Sequence, residues 1–157
     1  MRTLYPNISV HIVEAFSGTV YEWLINGRLD LAILYYSKEH SAAVMSPFIE
    51  EDMVALGTTE MLENKLEIPI ANLAQQKLIT SWRPYMHRLT LDAAFVAADV
   101  PFEPRIEIDS LPCMIELAHR GEGIAILPPS CVARELADGR LKGADLRPNI
   151  KLTTVLG

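Results

Sequence analysis

Apolar residues in this chain come in short bursts separated by small, polar or glycine-containing turns, a pattern that predicts α/β structure. Residues 8–13 are rich in β-branched side chains and predict a strand, interrupted by the turn Phe16-Ser17-Gly18-Thr19. Residues 20–25 predict a short helix, closed by Asn26-Gly27, and residues 29–34 form the next apolar run. Strand, turn, helix and strand at this spacing predict a βαβ unit with parallel strands and a right-handed crossover. Thr19 and Glu22 are spaced as a capping box, with Ser17 as a rival N-cap. Gly27 falls where a left-handed residue closes a helix.

Further along, residues 35–46 read as a polar loop and residues 52–56 as a short apolar run. Thr58 or Thr59 is placed to cap a brief helix near residues 60–62. Residues 65–76 mix loop and short helix. Residues 77–80 predict a strand entering a second polar turn, Thr80-Ser81-Trp82-Arg83. Pro84 sits near the first turn of a helix carrying Leu89, Ala93, Phe95 and Ala97. A second βαβ unit follows: a strand over 105–108, Ser110 as cap, a helix over 111–120, Gly121 as its closing residue and a buried strand over 123–127. Ser130 is set to cap another short helix, and residues 141–143 and 150–156 read as strands.

Composition narrows the possibilities. A chain of 157 residues, half of them hydrophobic and 22% charged, holds one domain or two small lobes and a real core. The net charge of −6, with no Lys/Arg cluster, argues against a direct grip on nucleic acid. No apolar run approaches ~18 residues, so no membrane span is expected, and the first residues lack the apolar stretch of a signal peptide. Cys113 and Cys131 fit a reduced setting as easily as one disulfide, and a cytoplasmic location is the expectation.

Catalytic and metal signatures are missing. There is no G-x-S-x-G, P-loop or H-E-x-x-H, and Gly121-Glu122-Gly123 lies after a helix and before a strand, the reverse of a dinucleotide fingerprint. The histidines (His11, His40, His87, His119) share no ligand spacing with each other or with the cysteines, so neither metal nor cofactor is expected. The polar turns say more. Phe16, Ser17 and Gly18 in one, and Thr80, Ser81, Trp82 and Arg83 in the other, each follow a strand. Hydroxyls and backbone N–H groups at helix starts suit a small anion, and Arg83 could add a bidentate contact.

Two stretches resemble a known family. YPNISVHIVEAFSGTVYEWLINGRLDLAILY and DSLPCMIELAHRGEGIAILPPSCVARELADGRL are similar to the effector domains of LysR-type transcriptional regulators, which carry a Tyr-Pro, a Ser-containing turn, a G-x-L-D-L-A-I strand and a G-x-G-I-A-x-L-P strand. The resemblance implies an α/β, two-lobed periplasmic-binding-protein-like fold, incomplete at both ends. Lobe one would be residues 1–51 and 147–157, lobe two residues 52–146, with hinges near 52–54 and 146–151.

It also implies a regulatory domain, not an enzyme, that binds a small metabolite, with a carboxylate favoured, between the lobes. Phe16, Ser17 and Gly18 would contact it from lobe one, and Thr80, Ser81, Trp82 and Arg83 from lobe two. DNA would be bound only through a helix-turn-helix head absent from this chain, and the full protein would be a homo-oligomer. The rivals are a transporter's solute-binding protein and an enzyme on the same fold, for which only His87 and Cys113 offer chemistry.

Overall fold

The structure, a computed structural model, describes residues 4–36 and 45–157. Two sheets organise it. Strands β1 (Ile33–Tyr35), β9 (Lys151–Leu156) and β2 (Ser46–Asp52) form an antiparallel sheet in the order β1-β9-β2. A six-stranded mixed sheet runs β4-β8-β3-β7-β5-β6, from β3 (Val54–Gly57), β4 (Glu67–Pro69), β5 (Leu78–Thr80), β6 (Ile106–Glu107), β7 (Ile124–Leu127) and β8 (Lys142–Arg147).

Strand alternation splits the core of the larger sheet into two layers. On one face Leu78, Ile124, Ile126, Ala144 and Leu146 pack with Leu91 and Phe95 of α3 (Met86–Ala97). On the other, Leu56, Ile79, Ala125 and Leu127 pack with Met114 and Ala118 of α4 (Leu111–His119). Truncating the fully buried Phe95 would cost about 3–5 kcal/mol. The smaller sheet is covered by α1 (Ser17–Ile25), whose Val20 packs with Ala32, Leu34 and Val155. Single short connections join the two sheets: Met53 links β2 to β3, and residues 148–150 link β8 to β9. The connections are bonded to each other, Met53 N–H donating to Ile150 O at 2.7 Å and Asn149 Nδ2 to Asp52 Oδ1 at 2.9 Å.

The predicted strand at residues 8–13 does not form. Ile8, Val10 and Ile12 are more than half exposed, and a β-branched run with no neighbouring ladder has nothing to hold it as a strand. The first βαβ unit is therefore reduced to α1 and β1. The Thr19–Glu22 capping box is absent too, because the helix starts earlier: Phe16 is the N-cap residue and no side chain caps it. Gly27 does take the left-handed conformation, at φ 67°.

The expected helix near 60–62 is a turn, with Met61 N–H bonded to Thr58 Oγ1. Residues 65–76 contain β4 as well as the short α2 (Ile70–Leu73). In α3 the buried positions are His87, Arg88, Leu91 and Phe95, while Leu89, Ala93 and Ala97 face outward. The second βαβ unit forms as expected: Ser110 Oγ accepts from Cys113 N–H, Gly121 has φ 75°, and β6 and β7 flank β5, all parallel. After β7, Ser130 lies within a 3-10 turn, Pro129–Val132, and caps nothing; α5 (Ala133–Ala137) follows. Most of the loop expected over 35–46 falls outside the described residues.

Candidate functional site

Two helix starts meet where the sheets adjoin. The first four N–H groups of an α-helix, counting that of the N-cap residue, have no partner within it. In α1 and α3 no side chain takes them, because the N-cap residues are Phe16 and Tyr85, both in extended backbone. Their rings stack on each other, with centroids 3.8 Å apart and planes 18° from parallel. The first turns of α1 and α3 are thereby brought together, each offering backbone donors that no side chain caps and the positive end of a helix dipole.

The hydroxyls differ in what they have to spare. Ser17 Oγ accepts from Tyr35 N–H at 3.0 Å, which leaves its own proton to donate. Thr80 Oγ1 is buried without a partner. Strand alternation puts Thr80 on the same sheet face as Leu78, the face that α3 covers, and a buried hydroxyl left unmade costs about 1–3 kcal/mol. Ser81 Oγ pairs with His87 Nδ1 at 3.0 Å, and His87 Nε2 with Ile126 O at 2.7 Å. The carbonyl can only accept, so Nε2 carries the proton and Ser81 donates to Nδ1. Burial holds the His87 pKa below its ordinary value. Gly18 has open space where a side chain would stand.

Trp82 is exposed, and its backbone N–H donates to Asp109 Oδ1 at 2.8 Å. A recess of about 220 Å³ is lined by Trp82, Arg83, Arg88 and Glu107. Its cations are already matched: Arg83 Nε donates to Asp92 Oδ2 at 2.7 Å, Arg88 Nε to Asp92 Oδ1 at 2.9 Å, and Arg88 pairs with Glu107. Burial works against ionisation of Asp92, but the two guanidinium bonds prevail and hold its carboxyl below the usual range. An anion gains little here, because two positive and two negative side chains already cancel.

A second, polar seam crosses between the sheets. Ser130 N–H and Oγ donate to the two carboxylate oxygens of Glu51, at 3.1 and 2.6 Å. The Tyr35 hydroxyl lies 3.8 Å from Cys131 Sγ, and burial raises the pKa of both groups. Sequence reading missed Tyr85, Tyr35 and Glu51; the place of Tyr85, between Pro84 and a helix, is the one local signal among them. His87 and Cys113 share no chemistry, since α3 and α4 lie on opposite faces of the sheet. Among the described residues no three His, Cys, Asp or Glu side chains are grouped to hold a metal ion, and no helix is long and apolar enough to cross a membrane.

A family profile described as "LysR substrate binding domain" matches residues 1–156. The regulator BbuR of Bordetella bronchiseptica, an HTH-type transcriptional regulator, is 28% identical over 138 residues, which are 87% of this chain and 42% of BbuR. The chain thus spans less than half of that relative. In fold it resembles the Synechocystis PCC6803 CcmR regulatory domain, solved in complex with 2-PG, at TM-score 0.84 and 22% identity, covering 98% of this chain and 76% of the other. It also resembles the effector binding domain of QuiR, solved in complex with shikimate, at TM-score 0.83 and 17% identity, covering 97% of this chain and 73% of the other.

Proposed function

This chain belongs to the LysR substrate-binding-domain family, and from that premise we infer that it is the effector-binding part of a transcriptional regulator. Residues 1–51 and 147–157 act as one lobe and residues 52–146 as the other, hinged at 52–54 and 146–151. A small carboxylate-bearing metabolite binds between them, against Phe16, Ser17, Gly18, Thr80, Ser81 and the Trp82-Arg83 turn. Its binding shifts lobe closure, and so the spacing of DNA-binding helix-turn-helix heads carried outside this chain in a cytoplasmic homo-oligomer. A coupling of about 1–3 kcal/mol is sufficient for such control. The domain works by binding and not by catalysis.

The observation that carries this reading is the meeting of two uncapped helix starts at the Phe16–Tyr85 stack, with the unpartnered Thr80 hydroxyl in the same strand-end turn. Donors without acceptors on both sides of one junction suit an anion. Isothermal titration of a panel of small carboxylates and amino acids tests it. Replacing Ser17 and Thr80 together by alanine is expected to weaken the best binder by about tenfold or more, given two hydrogen bonds to a charged group. Unchanged affinity in that double variant would remove the site from this junction.

A further inference from the structure

We propose that Glu51 and Ser130 form a latch that sets the angle between the two sheets, closed in this structure and released when one sheet rotates against the other. On the two-lobe reading above, this is the resting angle that an effector changes; the contact itself needs no ligand.

The register of the smaller sheet puts the parts in place. Tyr35 faces Thr154 on one side of β9, and Glu51 faces Leu152 on the other. Residues two apart share a face of a strand, and paired residues share a face of the sheet, so Tyr35, Leu152 and Glu51 point the same way. Leu34 and Val155 point the other way, against Val20 of α1. Tyr35 and Leu152 pack on the core of the larger sheet. The two strands that flank β9 thus each aim a polar group at the other sheet, and both groups land on one turn, at Ser130 and Cys131.

That turn leaves a donor for the carboxylate. It follows Pro128-Pro129, whose rings fix two φ angles and carry no N–H. Ser130 N–H is then the first donor of the 3-10 turn Pro129–Val132, whose N-cap residue, Pro128, has no side chain to accept it. Glu51 accepts it from the other sheet, with one carboxylate oxygen on N–H at 3.1 Å and the other on Oγ at 2.6 Å. Ser130 is exposed and Glu51 partly so, and water takes over both groups when they part. Release therefore strands no charge, and the contact can open and re-form, as a fully buried pair could not.

Cys131, in the same turn and beside Tyr35, reports the opening. In a Cys113→Ser background, the rate at which a disulfide reagent modifies Cys131 measures how often the turn leaves Tyr35. Ser130→Ala is expected to raise that rate about 3–10-fold, the range of one net hydrogen bond. The sign is decisive, because the Ser130 hydroxyl lowers the Cys131 pKa; losing it without opening makes thiolate scarcer and the reaction slower. Glu51→Asp keeps the charge but falls one methylene short, and should also speed the reaction. In both variants the gain should be insensitive to low urea, since a local opening exposes little surface. A Cys131 rate that is unchanged or lower in Ser130→Ala overturns the latch, and so does a gain that grows with urea as steeply as unfolding does. Neither result bears on where an effector binds.

Discussion

Ser81 and His87 are bonded through Oγ and Nδ1 at 3.0 Å, with the far side of the same imidazole held by the Ile126 carbonyl at 2.7 Å. The Ser81 hydroxyl is thereby spoken for, and the first turn of α3 is fastened to the middle of the sheet. Burial, with the Arg88 charge nearby, disfavours a second proton on this imidazole.

From this follows a pH dependence of stability. Burial lowers the His87 pKa in the folded chain, so below the ordinary histidine value of about 6.5 the unfolded chain takes up a proton that the folded one does not. Stability is full above that pH and declines as the pH falls below it, at a limit of about 1.4 kcal/mol per pH unit for one proton. Urea unfolding between pH 7.5 and 5.5 should show the decline. It should be shallower in His87→Gln, and a slope unaltered by the substitution would clear His87 of the effect.

The Arg88 guanidinium is buried beneath α3, over the Phe102 ring, and depends on Asp92 and Glu107 for its charge balance. Asp92→Asn removes the carboxylate that bridges Arg83 and Arg88. The expected loss is about 1–2 kcal/mol at neutral pH, with the partly exposed pair worth less than a fully buried one. The folded-state pKa of Asp92 lies below its unfolded value, so this stabilisation is present above pH ~4 and disappears as the pH falls further. The gap in urea midpoint between wild type and variant should therefore begin to narrow below pH ~4 and go on narrowing as the pH falls through the lowered folded-state pKa. A gap that stays constant through that fall would mean that the ion pair is not its source.

What could be read from the sequence was local. Ser110, Pro112 and Gly121 bracket α4 with side chains and backbone angles that act within one turn of where they stand, and that helix forms as expected. Residues 8–13 have strand-like composition, but a strand needs a neighbouring ladder, and composition does not say whether one is present. His87 and Arg88 look like surface residues of an amphipathic helix. Their burial depends on Ile126 and Glu107, partners 39 and 19 residues away that no periodicity reveals. The two turns were legible, and the family resemblance set them on either side of one cleft. The Phe16–Tyr85 contact was not legible, because those rings meet only after both sheets are built.

The two thiols should differ in reactivity. Cys113 is exposed on α4, whereas Cys131 is partly buried beside Tyr35, and burial together with the nearby Glu51 pushes its thiol pKa up. Only thiolate reacts with a disulfide reagent, so one thiol should titrate fast and the other about tenfold or more slowly. Cys113→Ser should abolish the fast phase and leave the slow one. Comparable rates for both would show the Tyr35–Cys131 seam to be open in solution.

Gly121 and Gly123 carry opposite expectations from what their backbone angles alone suggest. Gly121 has the left-handed φ of 75°, yet a Cβ there meets its nearest neighbour, Thr58 Cγ2, at an ordinary 3.5 Å. Its replacement by alanine costs only the conformational penalty, about 1 kcal/mol. At Gly123 no such angle occurs, but a Cβ would stand 2.7 Å from both the Lys77 carbonyl oxygen and Ile79 Cγ1. The carbonyl cannot turn away, because it accepts the Ile124 N–H at 2.8 Å where β7 begins to pair with β5. Gly123→Ala must therefore push those strands apart, just before β5 reaches Thr80. It should cost about 2–3 kcal/mol or more, exceeding Gly121→Ala in thermal or urea unfolding. The reverse order would mean that β7 and β5 approach less closely than described, and that the strand end carrying Thr80 and Ser81 is set by something other than this contact.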